Sequence, residues 1–139
     1  MFEKPRRKVS RVFVHCSASD RLEHDNVDII REWHLARGFD DIGYHYFIDK
    51  TGELHAGRNI EQRPAAQKGH NKDTIAICVS GLEHFNARQM LALLELCVQI
   101  DVAYDGTVTF HGHREVNKTK TCPVFDYRTV LRLDDDGRM

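Results

Sequence analysis

Two runs of β-branched and aromatic residues, Arg11-Val-Phe-Val-His-Cys-Ser17 and Thr74-Ile-Ala-Ile-Cys-Val-Ser80, do most to limit what this chain can fold into. Each is short, apolar and bounded by polar residues, so each reads as a buried strand. Between them Val27, Ile30 and Trp33 (with His34) follow helical spacing and Gly38 supplies a stop, which predicts a helix over 27–37. Segments 43–49 and 53–58 flank Lys50-Thr51-Gly52, a polar connection with glycine that suits an antiparallel hairpin. Residues 63–73, with Pro64, Gly69 and Asn71, have turn chemistry and no periodicity, so they read as a surface loop. Met90, Leu91, Leu94, Cys97 and Val98 repeat at three and four, which predicts a second helix over 87–102. A short strand over 107–111 and a closing helix over 125–133 complete the order. The expectation is an α+β single domain: a central mixed β-sheet flanked by helices.

A chain of 139 residues, 41% hydrophobic and 29% charged, has room for one domain with a real core. Its formal net charge of -1 argues against electrostatically driven nucleic-acid binding, although Lys4, Arg6, Arg7, Lys8 and Arg11 cluster at the start. The expected boundaries are a basic, solvated N-terminal arm over 1–9, the domain over 10–133 and an acidic tail over 134–139. Asp134-Asp-Asp136 lacks the alternating ligands and closing glutamate of a calcium loop, so the tail too reads as solvated. The opening residues hold no apolar segment of the signal-peptide kind, and the longest apolar run, Met90 to Leu94, is far too short to span a bilayer. Cytoplasmic residence in the producing cell, with no membrane association, is therefore expected. Cysteines 16, 78, 97 and 122 show no paired spacing, and reducing conditions would keep them as free thiols.

The candidate chemistry lies in His15, His113 and Cys122, which together offer two nitrogens and one thiolate. Such a set would hold zinc with a fourth position open, the arrangement of a catalytic metal site. By strand alternation Cys16 faces away from His15 and reads as a small core residue. His111, two residues before His113, is the nearest competitor for the metal, or else a partner to a ligand. His24, His34, His55 and His84 read as ordinary exposed or hydrogen-bonded histidines.

His15-Cys-Ser-Ala, Trp33-His, Asp41-Ile-Gly-Tyr-His-Tyr-Phe-Ile, Lys68-Gly-His-Asn-Lys-Asp-Thr-Ile-Ala-Ile-Cys and Gly112-His-Arg-Glu-Val with Lys120-Thr-Cys-Pro-Val-Phe-Asp126 occur in that order. In these blocks the chain resembles the N-acetylmuramoyl-L-alanine amidase family, over about residues 10 to 130. The resemblance implies the fold shared with peptidoglycan recognition proteins, zinc held by His15, His113 and Cys122, Tyr44 as a catalytic group and Lys120 as its partner. It further implies that His45, His70 and Asn71 face the substrate. One departure concerns that last set: where near relatives have Ser-His-Ala-Lys-Gly, this chain has Ala65-Ala-Gln-Lys-Gly69 followed by His70.

The implied reaction is hydrolysis of the amide between N-acetylmuramic acid and L-alanine in peptidoglycan. The implied setting is a monomeric phage or prophage endolysin, reaching the periplasmic wall after release by a separate permeabilising protein. Tyr44, with an ordinary pKa near 10, suits a donor better than a base; in some members a glutamate takes this part. Two other readings follow from the same resemblance. One is a non-catalytic peptidoglycan-binding module, against which the presence of Cys122 counts. The other is an additional role as inhibitor of a phage RNA polymerase through the basic arm.

Overall fold

The computed structural model describes residues 2–139. The two apolar runs form β1 (Arg11–Cys16) and, later in the chain, β4 (Thr74–Val79), which lie side by side and parallel, with His15 opposite Cys78. Helix α1 (Val27–Ala36) follows β1, and its N-cap Asn26 accepts from the backbone N–H groups of Asp28 and Ile29. The hairpin is present as β2 (Tyr46–Ile48) and β3 (Leu54–Ala56), antiparallel to each other, with β2 running parallel to β4. Helix α2 (Ala87–Ala103) opens on a capping box between Asn86 and Gln89. A last strand, β5 (Thr109–Gly112), pairs with the far side of β1, and α3 (Tyr127–Leu131) closes the fold. The sheet order is therefore β3-β2-β4-β1-β5, mixed as expected.

Because β1 and β4 are central, both of their faces need cover, and this is why they read as continuous apolar runs. On one face Val12, Val14, Ile75, Ile77 and Val79 pack with Leu93, Leu96 and Ile100 of α2 and Leu131 of α3. On the other, Phe47 and Cys78 pack with Ile30 of α1 and Ile42. His15 belongs to that second, thinner face. Helix α3 is shorter than predicted because Arg132 takes a left-handed conformation (φ 53°) and ends it.

Lys4, Arg6, Lys8 and the acidic run 134–136 are exposed, as expected of a solvated arm and tail, but other groups in both ends are tied to the fold. The Phe2 ring lies 6.1 Å from that of Tyr104, and the Lys4 ammonium sits 4.8 Å over the same Tyr104 ring. Arg7 donates from Nε to the Ile60 carbonyl and from Nη2 to the Thr74 carbonyl, both at 2.8 Å. A guanidinium with several fixed donors closes carbonyls that the loops leave unpaired, so a basic composition here serves the fold. At the other end the Gly137 carbonyl accepts from Phe110 N–H at 2.7 Å, along the free edge of β5, and Arg138 donates to the Gly106 carbonyl at 2.7 Å. An edge strand exposes unpaired backbone groups, and the last residues cover them.

Candidate metal centre

His15 stands near the end of β1 and is 1% exposed. His113 directly follows β5 in a short 3-10 turn, and Cys122 lies beyond it in the loop that leads to α3. These three residues come from distant parts of the chain, yet their candidate ligand atoms all lie within 4.8 Å of one another. The His15 and His113 rings are 4.7 Å apart and that of Tyr44 is 5.2 Å from His15.

The donor chemistry fits zinc, whose bonds to imidazole nitrogen and thiolate sulfur run about 2.0–2.3 Å. Burial, and next the neighbouring His113, pull the His15 pKa down to about 3. Burial, then the Lys120 ammonium, lower that of His113 as well. Both imidazoles are therefore neutral at physiological pH and present lone pairs. The Cys122 Sγ accepts the backbone N–H of Cys16 at 2.8 Å, but the facing Cys16 thiol, and then burial, push the Cys122 thiol's pKa up, so its thiolate has to form together with metal binding. Cys16 is the buried core residue expected and stands outside the candidate ligand group, while its thiol meets that of Cys122. Alternation fixed its direction relative to His15, not its distance from a ligand arriving on another segment. Since the two thiols face each other, one proton of the pair leaves easily and the second is strongly held.

The loop carrying two of the ligands is tied down by side chains. Arg114 donates its backbone N–H to the Cys122 carbonyl (2.8 Å), and its guanidinium donates to the carbonyls of Pro123 and Phe125 while lying 4.8 Å over the Tyr127 ring. Glu115 accepts from the Tyr127 hydroxyl, from Gly112 N–H (3.0 Å) and from His111 Nδ1 (2.9 Å). His111 has its other nitrogen against Thr109 Oγ1 at 2.6 Å, so both its nitrogens are engaged in supporting the loop and it stands outside the candidate ligand group. A Cβ at Gly112 would stand 2.5 Å from the Tyr127 ring, which only glycine avoids.

A cavity of about 210 Å³ opens beside the metal group, lined among others by Cys16, Trp33, His34, Tyr44, Lys120 and Cys122. Tyr44 and Lys120 are thus brought to the three ligands. Burial raises the Tyr44 hydroxyl well above its ordinary pKa, so it stays protonated. His34, expected to be an ordinary exposed or hydrogen-bonded histidine, is of the hydrogen-bonded kind and lines the same cavity. It is buried, its Nδ1 accepts Gly43 N–H at 2.7 Å, its ring is 5.3 Å from that of Tyr44, and burial brings its pKa to about 4. Its place within the Trp33-His block was the available signal.

The three residues expected to face the substrate divide. His45 is not brought to the metal group. It is buried with Nδ1 accepting from Ala76 N–H (3.1 Å) and Nε2 donating to the Gln62 carbonyl (2.8 Å), because successive residues of an extended chain point opposite ways and Tyr44 takes the inner side. Asn71 lines a second cavity, about 410 Å³, with Phe39, Ala65, Ala66 and Lys68. Its Oδ1 accepts from the backbone N–H groups of Ala66 (3.1 Å) and Gln67 (2.9 Å), so it also shapes that loop. His70 sits in the same loop, partly exposed, with its N–H on the Gln67 carbonyl at 2.8 Å. Missed entirely was Gln67, which is fully buried with Oε1 2.9 Å from His15 Nε2.

Residues 5–125 match the family model described as N-acetylmuramoyl-L-alanine amidase. The chain belongs to this amidase family. The endolysin of Escherichia phage T7 is 35% identical over 90% of this chain and 87% of its own length. Among solved structures, the amidase LysC from Clostridium intestinale superposes with a TM-score of 0.79 at 24% identity, covering 88% of this chain and 83% of its own. Drosophila peptidoglycan recognition protein SD gives a TM-score of 0.70 at 24% identity, over 87% and 82% respectively. The amidase fold of this chain is thus the one shared with peptidoglycan recognition proteins, as its residue blocks imply.

Proposed function

We propose that this amidase is zinc-dependent and serves as a phage endolysin, cleaving the bond between N-acetylmuramic acid and L-alanine. The carrying observation is that His15, His113 and Cys122 converge within 4.8 Å beside a cavity that also holds Tyr44 and Lys120. Two imidazoles and one thiolate complete three positions of a tetrahedral site and leave one for chemistry. When bound there, zinc supplies Lewis acidity toward the scissile carbonyl and activates water near neutral pH.

The chain's own groups supply the rest. Lys120, at the cavity rim, carries the positive charge that stabilises an oxyanion developing on the substrate carbonyl. Tyr44 keeps its proton and donates a hydrogen bond toward the reacting amide. Asn71 and Lys68, beside the neighbouring cavity, suit the polar peptide stem. A non-catalytic binding module has no need of a complete ligand set, so its presence favours hydrolysis. No helix among the described residues is long and apolar enough to cross a membrane, which fits an enzyme let out to the wall by a separate permeabilising protein.

Elemental analysis of purified protein, combined with mass spectrometry of digested muropeptides, tests this reading. The expected result is one zinc per chain and peptides released with a free L-alanine amino terminus. Full activity in a metal-free preparation would refute zinc dependence, and intact muramoyl-alanine linkages would refute the bond assignment.

A further inference from the structure

Behind the metal group lies a buried relay of polar side chains whose hydrogen-bond directions are fixed from one end. The Asn71 carbonyl can only accept, so the Thr74 hydroxyl, 2.8 Å away, donates to it. Thr74 Oγ1 must then accept from Gln67 Nε2, also at 2.8 Å. The His70 carbonyl, 3.3 Å from the same nitrogen, demands the same amide orientation. Gln67 Oε1 is therefore the end that faces His15, and an amide oxygen only accepts, so His15 Nε2 must carry the proton at 2.9 Å. Gln67 and Thr74 are fully buried and His15 is 1% exposed, so no water competes for these contacts.

We infer that Gln67 is the positioning residue for the His15 ligand, holding the proton on Nε2 and so leaving Nδ1 as the nitrogen with a lone pair for the metal. The inference rests on the zinc reading above and deepens it. Ligating histidines are commonly oriented by a hydrogen bond from the second ring nitrogen to an oxygen acceptor, which fixes both tautomer and ring plane. In most such cases the acceptor is a carboxylate or a backbone carbonyl. Here a neutral amide does the same without placing a second negative charge beside Cys122. The relay also links the ligand to the loop over 65–71 that borders the larger cavity, because Asn71 holds that loop through Ala66 and Gln67 and receives Thr74 at its carbonyl.

The test measures tautomer and zinc affinity, not turnover. In metal-free wild-type protein, long-range proton–nitrogen NMR correlations should show His15 with a protonated Nε2 and a lone-pair Nδ1. Gln67→Met keeps the length of the side chain and removes the acceptor. Its zinc affinity, measured by competition with a chromogenic chelator, should fall about 10- to 100-fold. A side chain that merely fills space would be replaced by methionine with unchanged zinc affinity. Wild-type affinity in Gln67→Met, or a lone pair on Nε2, would overturn the inference while leaving the zinc reading in place. The NMR arm needs no substitution, so it decides the matter even where a variant fails to fold. A wild-type chain that binds no zinc would overturn the metal reading, and this inference with it.

Discussion

His15 and the pair His113–Cys122 serve one site but are held in opposite ways. His15 sits on β1, a strand bonded on both sides and covered on both faces, so its position is set by the core. His113 and Cys122 belong to a segment with a 3-10 turn and otherwise little regular structure, held by Arg114 and Glu115 reaching to backbone groups and to Tyr127. Scaffold strands supply precision through packing that cannot shift independently. Loops supply it through a few side-chain bonds, which can be removed one at a time. Stability and metal binding should therefore separate by region: damage to the strands unfolds the protein, and damage to the loop empties the site.

Replacing Cys122 by serine should produce the largest effect and break the comparison if it fails. Loss of the thiolate removes a ligand and with it several kcal/mol of metal-ion stabilisation, a fall in turnover of about a thousandfold or more. The metal-free variant should nevertheless melt close to the metal-free wild type, because Cys122 lies in the loop and is only partly buried. Calorimetry of both proteins in chelator, alongside the rate of cell-wall lysis, checks the two halves. A large drop in metal-free stability would show that the loop belongs to the core after all.

The strand side predicts the reverse. Ile77, fully buried in β4 and paired in register with Val14 and Tyr46, should lose about 2–5 kcal/mol on replacement by alanine. The melting midpoint should drop by about 10 °C, while the fraction that remains folded binds zinc as tightly as the wild type. Chelator competition well below the midpoint tests the second clause.

His45 sharpens the comparison by pH. It lies on the scaffold, away from the ligands, with burial bringing its pKa to about 4 from an ordinary 6.5. Above pH 6.5 neither the folded nor the unfolded chain holds a proton there, and the full stability is present. Between pH 6.5 and about 4 the unfolded chain takes up a proton that the folded protein refuses, so stability falls as pH falls, by at most about 1.4 kcal/mol per unit crossed. His15 and His34, similarly buried, add to the same slope. Urea titrations of metal-free protein at pH 7 and 4.5 should show the decline, and His45→Gln should lessen it. An unchanged slope in that variant would place the titration elsewhere.

The same division explains what could be read from residues alone. β1, β4, α1 and α2 were readable because burial on both faces, or on one helical face, writes itself into local periodicity. The metal trio was nameable from its ligand chemistry and its place in family blocks. What escaped was whatever depended on a contact between distant segments. Arg7 and Gly137 looked like parts of solvated ends, although each satisfies backbone groups across the fold. The signal for Gln67 was only its place in the one block that departs from near relatives, since one glutamine in a loop has no period and its partner His15 lies 52 positions away. Strand alternation gives the direction of Cys16 but not its neighbour Cys122, which arrives from 106 residues further on.

The smallest predicted effect isolates the clamp itself. Arg114→Met keeps an unbranched apolar side chain of similar reach and deletes the guanidinium, with its bonds to the Pro123 and Phe125 carbonyls and its place over the Tyr127 ring. The backbone bond from residue 114 to the Cys122 carbonyl survives, so the loop should loosen without detaching. Zinc affinity should weaken about tenfold, the lower end of what partners one step removed from a metal contribute. Metal-free melting should barely move, because the lost bonds order a loop and not the sheet. Chelator competition and calorimetry on the same preparation give both numbers. Unchanged zinc affinity would mean that Glu115 and Tyr127 hold His113 and Cys122 without help, and that loop ligands here are over-determined much as His15 is.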